Sequence, residues 1–305
     1  MKTSVEIGGI DFTNPFMTAS GTSGHGSELS DFLDFNKIGA FVTKGISLLP
    51  FAGNKPPRIC EVRGGMINAI GLENPGVEVF LNQLLPDLQK VDCKIVVNFY
   101  GKTETEYFTL AEMLGSATGI DALEMNISCP NVEKGGLLFG TEPELSGHLV
   151  RECTRLSKKP VFVKLAPAVS SIVSIGKACA DAGAAALTCA NSWPATDIDI
   201  STGKFKLAPG RGGMSGPAIL PLTLLKVSEL YTFFKDTVPV IASGGIMTGE
   251  DTIKFFMAGA RAVQIGTATF TNPRAVVSIM EETLELLVKM SIDDINAVRG
   301  KAVKP

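Results

Sequence analysis

One cysteine, two lysines and several carboxamides are the residues that could do chemistry in this sequence, and each follows a short apolar run. Cys129 lies three residues after Asn126, which itself follows the apolar run at 120–125. Pro130 cannot continue a strand ladder, so the chain must turn there. A thiol at such a point is well placed for chemistry. Most free cysteines are small buried apolar residues, however, so the pattern alone is a weak signal.

Polar or glycine residues end each of eight apolar runs along the chain. Most of these ends carry a side-chain hydrogen-bonding group, and two of those groups are lysines. Together they predict a cavity rich in amide donors and acceptors with two positive charges, which suits a planar, polar, anionic ligand. In chain order the ends are Ser20-Gly21, Lys44, Asn98, Asn126, Lys164, Asn191-Ser192, Ser243-Gly244-Gly245 and Gly266-Thr267.

The runs that precede these residues lack the alternation of a half-exposed strand. Near-continuous apolar runs are typical of strands covered on both faces, and such strands belong to parallel sheets. Eight of them, each followed by a helix or a long loop, predict an α/β fold of the (β/α)8 TIM-barrel type. The runs are residues 16–19, 40–43, 94–97, 120–125, 161–163, 184–189, 238–242 and 262–265. Helices are predicted at 77–88, 104–114, 142–155, 169–181, 221–234, 249–258 and 273–289.

The remaining segments complete this architecture. Residues 3–12 alternate around Gly8 and Gly9 and predict a small N-terminal β-hairpin. Long connections such as 45–92 predict inserted loops at the C-terminal face. We expect residues 1–305 to form one barrel domain, since such a barrel typically needs ~250 residues. A doubly wound sheet is the competing fold, but it requires a G-x-G-x-x-G motif after the first strand, and the sequence has none there.

Composition excludes several classes of protein. Apolar residues make up 45% of the chain and charged residues 19%, which indicates a globular protein. The net charge of −3 argues against nucleic-acid binding, and no apolar run approaches the ~18 residues of a membrane span. Six scattered cysteines and two histidines give few metal ligands and no disulfide pattern. No secretory signal is evident, so we expect a cytoplasmic protein.

Glycine turns after the last two strands predict a phosphate site. Gly244 and Gly245 after the seventh run, and Gly266 with Thr267 after the eighth, lead towards helices whose backbone N–H groups and dipoles favour an anion. Phosphate binding at this place recurs in barrel enzymes. A further glycine-rich turn at 213–217 precedes another predicted helix. Ordinary turn chemistry is the alternative explanation.

These motifs together resemble the class 1 dihydroorotate dehydrogenases over essentially the whole length, most closely the type B subunit that carries FMN. Two motifs are highly specific in combination, namely Asn-Ala-Ile-Gly-Leu at 68–72 and Asn-Ile-Ser-Cys-Pro-Asn at 126–131. Further matching segments are 19–22, 43–44, 57–58, 73–76, 164–165, 191–192, 215–217, 244–246 and 264–267.

The resemblance implies FMN-dependent oxidation of (S)-dihydroorotate to orotate in pyrimidine biosynthesis. Cys129 would be the general base that takes the C5 proton while the C6 hydride passes to the flavin, and Lys44 would lie between flavin and substrate. Residues 130–141 would close over the substrate. The implied orotate-binding residues are Lys44, Asn68, Gly71, Leu72, Asn126, Asn191 and Ser192. The implied FMN-binding residues are Ser20, Thr43, Lys44, Asn98, Asn126, Lys164, Gly216, Gly244, Gly245, Gly266 and Thr267.

The resemblance also implies a partner. Type B catalytic subunits form a homodimer within a heterotetramer, and the second subunit carries FAD and a 2Fe-2S cluster that pass electrons to NAD. This chain has neither clustered cysteines nor a dinucleotide motif of its own. It departs from the family pattern at Ser23, His25 and Ser192 and at the Trp193-Pro194 pair, which bear on substrate specificity.

Three other functions stay open at this point. A fumarate-linked type A enzyme would need no electron-transfer subunit. A related flavin dehydrogenase could act on dihydrouracil or dihydrothymine, which lack the carboxylate. A non-redox, phosphate-binding barrel lyase could use Lys164 as a Schiff base.

Overall fold

Eight parallel strands close into a barrel in this computed structural model, which describes residues 1–128, 130–131 and 137–303. Each strand pairs with its neighbours in the sequence, and β8 pairs with β1 to close the ring. The predicted (β/α)8 barrel is therefore confirmed. The strands are β1 (Phe16–Thr18), β2 (Ala40–Val42), β3 (Lys94–Phe99), β4 (Ala122–Asn126), β5 (Val161–Lys164), β6 (Ala186–Cys189), β7 (Val240–Ser243) and β8 (Ala262–Ile265).

Helices lie between the strands, close to the predicted positions. The first is composite, because α-helical Val77–Val79 continues as a π-helical turn, Phe80–Leu84, and then as α-helical Leu85–Leu88. The other α-helices are Glu104–Ser116, Pro143–Leu156, Ile172–Asp181, Leu220–Phe234, Gly249–Met257, Ala268–Thr271 and Ala275–Lys289. Short 3-10 turns span Ser27–Leu29, Phe35–Lys37, Pro217–Ile219 and Ile295–Val298.

The core explains why the barrel strands are apolar throughout. Strands β4 to β8 are buried along their entire length, as expected where one face lies inside the barrel and the other lies against helices. Tyr107 is fully buried beside β3, with its ring 6.0 Å from Phe99 and 5.2 Å from Phe139 in edge-on contacts. Its hydroxyl donates to the carbonyl oxygen of Asn126. The core thus fixes the last residue of β4.

Two additions surround the barrel. The N-terminal hairpin Val5–Ile7 and Ile10–Phe12 is present as predicted, with both turn glycines at positive φ. At the C-terminal face, insertions from two connections share one antiparallel sheet, which we call the outer sheet. Its strands, in spatial order, are Trp193–Ala195, Gly212–Ser215, Gly65–Asn68 and Ile59–Val62. The sheet covers a small apolar cluster of Ile67, Ala69 and Leu207. A two-stranded ribbon, Ile198–Asp199 with Lys204–Phe205, projects from the same region.

Helices in the described part of the chain are too short or too polar to cross a lipid bilayer.

Helix Gly249–Met257, which follows β7, begins with a reciprocal cap that can be tested. The Thr248 side chain accepts from the Asp251 amide at 3.2 Å, and the Asp251 carboxylate accepts from the Thr248 amide. We expect Thr248→Ala to lower the free energy of unfolding by about 1 kcal/mol, measured by denaturant titration. Thr109→Ala, in the middle of a helix, is the control and should have little effect. Equal losses in the two variants would contradict this role of the cap.

Candidate active site

The carboxyl ends of the barrel strands open into a cavity of about 540 Å³. Most of the residues predicted from the strand ends and from the family motifs line it together, so segments far apart in the sequence meet there. The predicted residues in the lining are Ser20, Lys44, Asn68, Gly71, Leu72, Asn98, Asn126, Lys164, Asn191, Ser192, Gly244, Gly245, Gly266 and Thr267.

Two of the predicted residues that the structure describes are not in that lining. The Thr43 side chain is fully buried, and its hydroxyl accepts from the Asn98 amide at 3.1 Å. Gly216 lies next to the lining residue Ser215, where an added Cβ would lie 2.6 Å from the Gly65 Cα, so only glycine allows this close approach. Cys129 lies outside the residues that the structure describes.

Lys164 is the buried cation of the cavity. Its side chain is 5% exposed at the end of β5, and Nζ donates to Ser20 Oγ at 3.1 Å and to Gln264 Oε1 at 3.0 Å. Glu124, fully buried on β4, accepts the third hydrogen bond at 3.3 Å. All three donors of the ammonium group are therefore occupied, which compensates for the loss of water around a buried charge.

Two carboxamides, at the ends of β4 and β6 on either side of β5, bond to one another. Asn191 Nδ2 donates to Asn126 Oδ1 at 3.1 Å, and the Ser128 amide donates to the same oxygen, also at 3.1 Å. Asn191 Oδ1 in turn accepts from the Ser192 amide at 2.8 Å. These bonds fix the orientation of both carboxamides. They also fix the backbone immediately before residue 129.

The segment that follows the outer-sheet strand Gly65–Asn68 also lines the cavity, and hydrogen bonds hold its backbone. Leu72 has φ of +59°, and its carbonyl accepts from Tyr100 Oη at 2.8 Å and from Asn74 Nδ2 at 2.9 Å. Asn74 is nearly buried, and its Oδ1 accepts from the amides of Ser47 and Gly76. Two separate chain segments therefore hold the backbone at Leu72 in its left-handed conformation.

An ion pair lies at the surface of the cavity. Arg58 Nη1 and Glu73 Oε2 are 2.6 Å apart, and both residues line the cavity. The hydrogen bond from Arg58 lowers the pKa of the Glu73 carboxyl, and the nearby charge of Lys44 lowers it further. Glu73 therefore remains ionised when the pH falls moderately, and Arg58 stays paired.

The glycine turns after β7 and β8 are shaped by their surroundings. Gly245 has φ of +84°, and an added Cβ would lie 2.6 Å from the backbone nitrogen of Leu220. At Gly266 an added Cβ would approach the Ala19 Cβ to 3.1 Å. A side chain is thus excluded from the first turn and crowded in the second, and the backbone itself lines the cavity. Such a lining, beside a lysine and carboxamides, fits a phosphorylated planar ligand.

Three polar residues inside the barrel were not predicted as part of the site. Glu124, Thr188 and Gln264 are all buried in otherwise apolar strands. Thr188 Oγ1 donates to Glu124 Oε2 at 2.9 Å, and Gln264 Nε2 donates to the same oxygen. The available signal was a polar residue within an apolar run, since such a residue must find a partner when it is buried.

The departures at His25 and Trp193 lie outside the cavity lining. Trp193 is in the outer sheet, opposite Met214, and His25 lies in the connection after β1. The pKa of His25 is lowered, mainly by burial and to a smaller extent by the positive charge of Lys44. The negative charge of Glu28 opposes this shift. Ser192 does line the cavity, where it keeps a hydroxyl group.

Comparison with known proteins agrees with this geometry. A family model described as "Dihydroorotate dehydrogenase" matches residues 2–287. The chain belongs to the dihydroorotate dehydrogenase family. It is 46% identical over 297 residues to a protein of Citrifermentans bemidjiense and 47% identical over 297 residues to one of Trichlorobacter lovleyi, with 97% of each chain covered. A protein of Pelobacter propionicus is 48% identical over 285 residues, which cover 92% of this chain and 93% of that protein.

All three relatives are named "Dihydroorotate dehydrogenase B (NAD(+)), catalytic subunit". As a dihydroorotate dehydrogenase family member, the chain is an oxidoreductase of a family whose members are in general flavoproteins. The resemblance drawn from the sequence motifs is therefore confirmed.

The reactivity of four cysteines with iodoacetamide tests whether their side chains are buried as described. Burial raises the pKa of Cys93 and of Cys179 to about 12, and it also raises the pKa of Cys153 and Cys189. These thiols stay protonated at pH 8, and the thiolate is the reactive form. We expect brief iodoacetamide treatment of the folded protein at pH 8 to leave all four unmodified by peptide mass spectrometry.

The control is the same protein unfolded in guanidinium chloride, where all six cysteines of the chain should react. Modification of Cys153 or Cys189 in the folded protein at the rate seen after unfolding would contradict their burial.

Proposed function

We propose that this chain oxidises (S)-dihydroorotate to orotate as the FMN-carrying catalytic subunit of an NAD-linked enzyme of pyrimidine biosynthesis. One observation carries the proposal. A single cavity at the strand ends brings together two lysines, five carboxamides and two glycine turns. The carboxamide side chains are those of Asn68, Asn98, Asn126, Asn191 and Gln264.

The proposed substrate matches the polar groups of the cavity. Dihydroorotate is a cyclic ureide with a carboxylate, so it offers ring N–H donors, carbonyl acceptors and one negative charge. Carboxamides can both donate and accept, and therefore suit the ring. Lys44 is assigned to the negative charge. The remaining substrate-binding residues proposed are Asn68, Gly71, Leu72, Asn126, Asn191 and Ser192, all of which line the cavity.

The proposed cofactor, FMN, would accept the hydride from C6 of the substrate when it is bound. Gly244, Gly245, Gly266 and Thr267 are assigned to its phosphate, because backbone N–H groups in glycine turns bind anions. The other proposed contacts are Ser20, Lys44, Asn98, Asn126 and Lys164, with Thr43 and Gly216 contributing backbone groups only. Lys164 supplies positive charge where reduction places negative charge.

Cys129 is the proposed general base that removes the C5 proton. The bonds of Asn126 to Ser128 and Asn191 support this role, since they fix the chain at the cavity edge one residue before Cys129. A free thiol has a pKa of about 8.5, and positive charge nearby favours the thiolate. Lys44, which lines the cavity, is the proposed source of that charge.

Electrons would leave through a partner subunit that carries FAD and a 2Fe-2S cluster and reduces NAD in the cytoplasm. The relatives' designation as catalytic subunits of NAD-linked enzymes supports this assignment. The proposed assembly is a homodimer of this chain within a heterotetramer.

The first test is the visible absorption spectrum of the purified chain before and after anaerobic dihydroorotate. We expect a yellow protein whose flavin absorbance is lost on addition of dihydroorotate, with dihydrouracil as the control that leaves it unchanged. A yellow protein that responds to dihydrouracil and not to dihydroorotate would contradict the substrate assignment. A protein that takes up no FMN would contradict the cofactor assignment.

Replacement of Cys129 tests the general base separately. We expect Cys129→Ala to retain FMN but to lower turnover near neutral pH by about 10²–10⁴-fold, the usual contribution of a general base. Steady-state turnover and the visible spectrum measure the two effects. Cys60→Ala is the matched control, because Cys60 lies in the outer sheet and does not line the cavity. Normal turnover in Cys129→Ala would remove this residue from the mechanism.

A further inference from the structure

Glu124 is a buried carboxylate for which the proposed mechanism has no direct use. It lies on β4 inside the barrel, with no exposed surface, and is not among the residues that line the cavity. Its Oε1 accepts from Asn98 Nδ2 at 2.8 Å and from Lys164 Nζ at 3.3 Å. Its Oε2 accepts from Thr188 Oγ1 at 2.9 Å and from Gln264 Nε2. Four donors from four other strands thus converge on one carboxylate.

Three of those four donors are themselves cavity residues. Asn98, Lys164 and Gln264 line the cavity, whereas Thr188 does not. Glu124 therefore lies directly behind three cavity side chains, and two of them, Asn98 and Lys164, are assigned to the flavin. It can act on a bound cofactor only through them and through its charge.

The charge of Glu124 opposes that of Lys164 at short range. The two side chains are 0% and 5% exposed, so little water can screen their charges. Together they contribute a net charge of zero beside the cavity. A group bound against Lys164 therefore experiences a positive charge that the carboxylate partly cancels.

We propose that Glu124 is a positioning residue that moderates the charge of Lys164 and thereby keeps the reduction potential of the bound flavin low. The inference rests on the proposed function. Reduction adds negative charge to the flavin, and an uncompensated lysine beside it would favour the reduced form. Because the electrons must pass on to a partner, a site that held reduced flavin too tightly would slow their release. The carboxylate behind Lys164 prevents this.

The test compares the reduction potential of FMN-loaded wild type and Glu124→Gln at pH 7, measured anaerobically against a reference dye. Glutamine keeps the size of the side chain and removes the negative charge. We expect the ratio of reduced to oxidised flavin at a fixed potential to rise about tenfold, which is a shift of about +30 mV for a two-electron couple.

Two controls separate charge from packing. Thr188→Val removes one hydrogen bond from an uncharged donor to the same carboxylate and changes no charge. It should leave the reduction potential of the flavin unchanged. The double variant Glu124→Gln with Lys164→Met is again neutral and should return towards the wild-type potential. Since a buried ion pair replaced as a whole is often tolerated, the double variant also checks that the barrel still folds.

The opposite role for Glu124 would be to keep Lys164 protonated and oriented towards the cofactor. In that case Glu124→Gln would lower the potential, and either a lower or an unchanged potential overturns the inference. If Glu124→Gln fails to fold, Glu124→Asp is measured instead, because it moves the carboxylate away from Lys164 by the length of one methylene group. The inference then requires a smaller rise in the reduction potential. Wild-type protein that binds no FMN, or is not reduced by dihydroorotate, would instead overturn the proposed function.

Discussion

The buried ion pair between Lys164 and Glu124 inside the barrel is the interaction that constrains this structure most strongly. Lys164 Nζ and Glu124 Oε1 are 3.3 Å apart, and both side chains are almost wholly removed from water. The effective penalty for such burial is several kcal/mol per ion, so the remaining polar positions of both groups need partners. Those partners come from other strands and strand ends, namely Ser20, Asn98, Thr188 and Gln264. Closing the barrel in the correct register and preparing the cavity are therefore the same physical requirement.

The outer sheet places a different requirement on the cavity, namely its shape. Asn68 Nδ2 donates to the Gly213 carbonyl at 3.3 Å, which links the insertion after β2 to the insertion after β6. An added Cβ at Gly213 would lie 1.9 Å from Ser192 Oγ, so glycine is needed for Ser192 to occupy its place. The barrel interior thus holds the buried ion pair behind the cavity, whereas the outer sheet determines the positions of Asn68 and Ser192 in its lining.

The barrel could be predicted from sequence because burial on both faces leaves a local pattern. The runs that became β4 and β5 are apolar without alternation and end in Asn126 and Lys164, and the parallel arrangement brings such ends to one edge. The outer sheet could not be predicted. Its strands have three or four residues, and Gly212–Ser215 has neither β-branched residues nor alternation.

The partners of Glu124 also could not be predicted. A carboxylate within an apolar run indicates that some partner exists. The identity of that partner depends on which strands become neighbours and on how each side chain turns inside the barrel. Glu124 and Gln264 are 140 residues apart, and nothing local to either residue names the other. Closure of the barrel determines which distant side chains become partners, whereas local sequence propensity determines where the strands and helices form.

Strand pairing in this chain also sets the time at which the cavity can first exist during synthesis. The outer sheet pairs Ile67 with Met214, and the barrel closes only when Val263 pairs beside Phe16. When only residues up to β6 have left the ribosome, Lys44 and Lys164 are exposed, but neither glycine turn nor a closed ring is present. Ligands cannot guide the early steps of folding, because their site is completed last. The apolar strands must stay unaggregated without that help until β8 has been synthesised and can pair with β1.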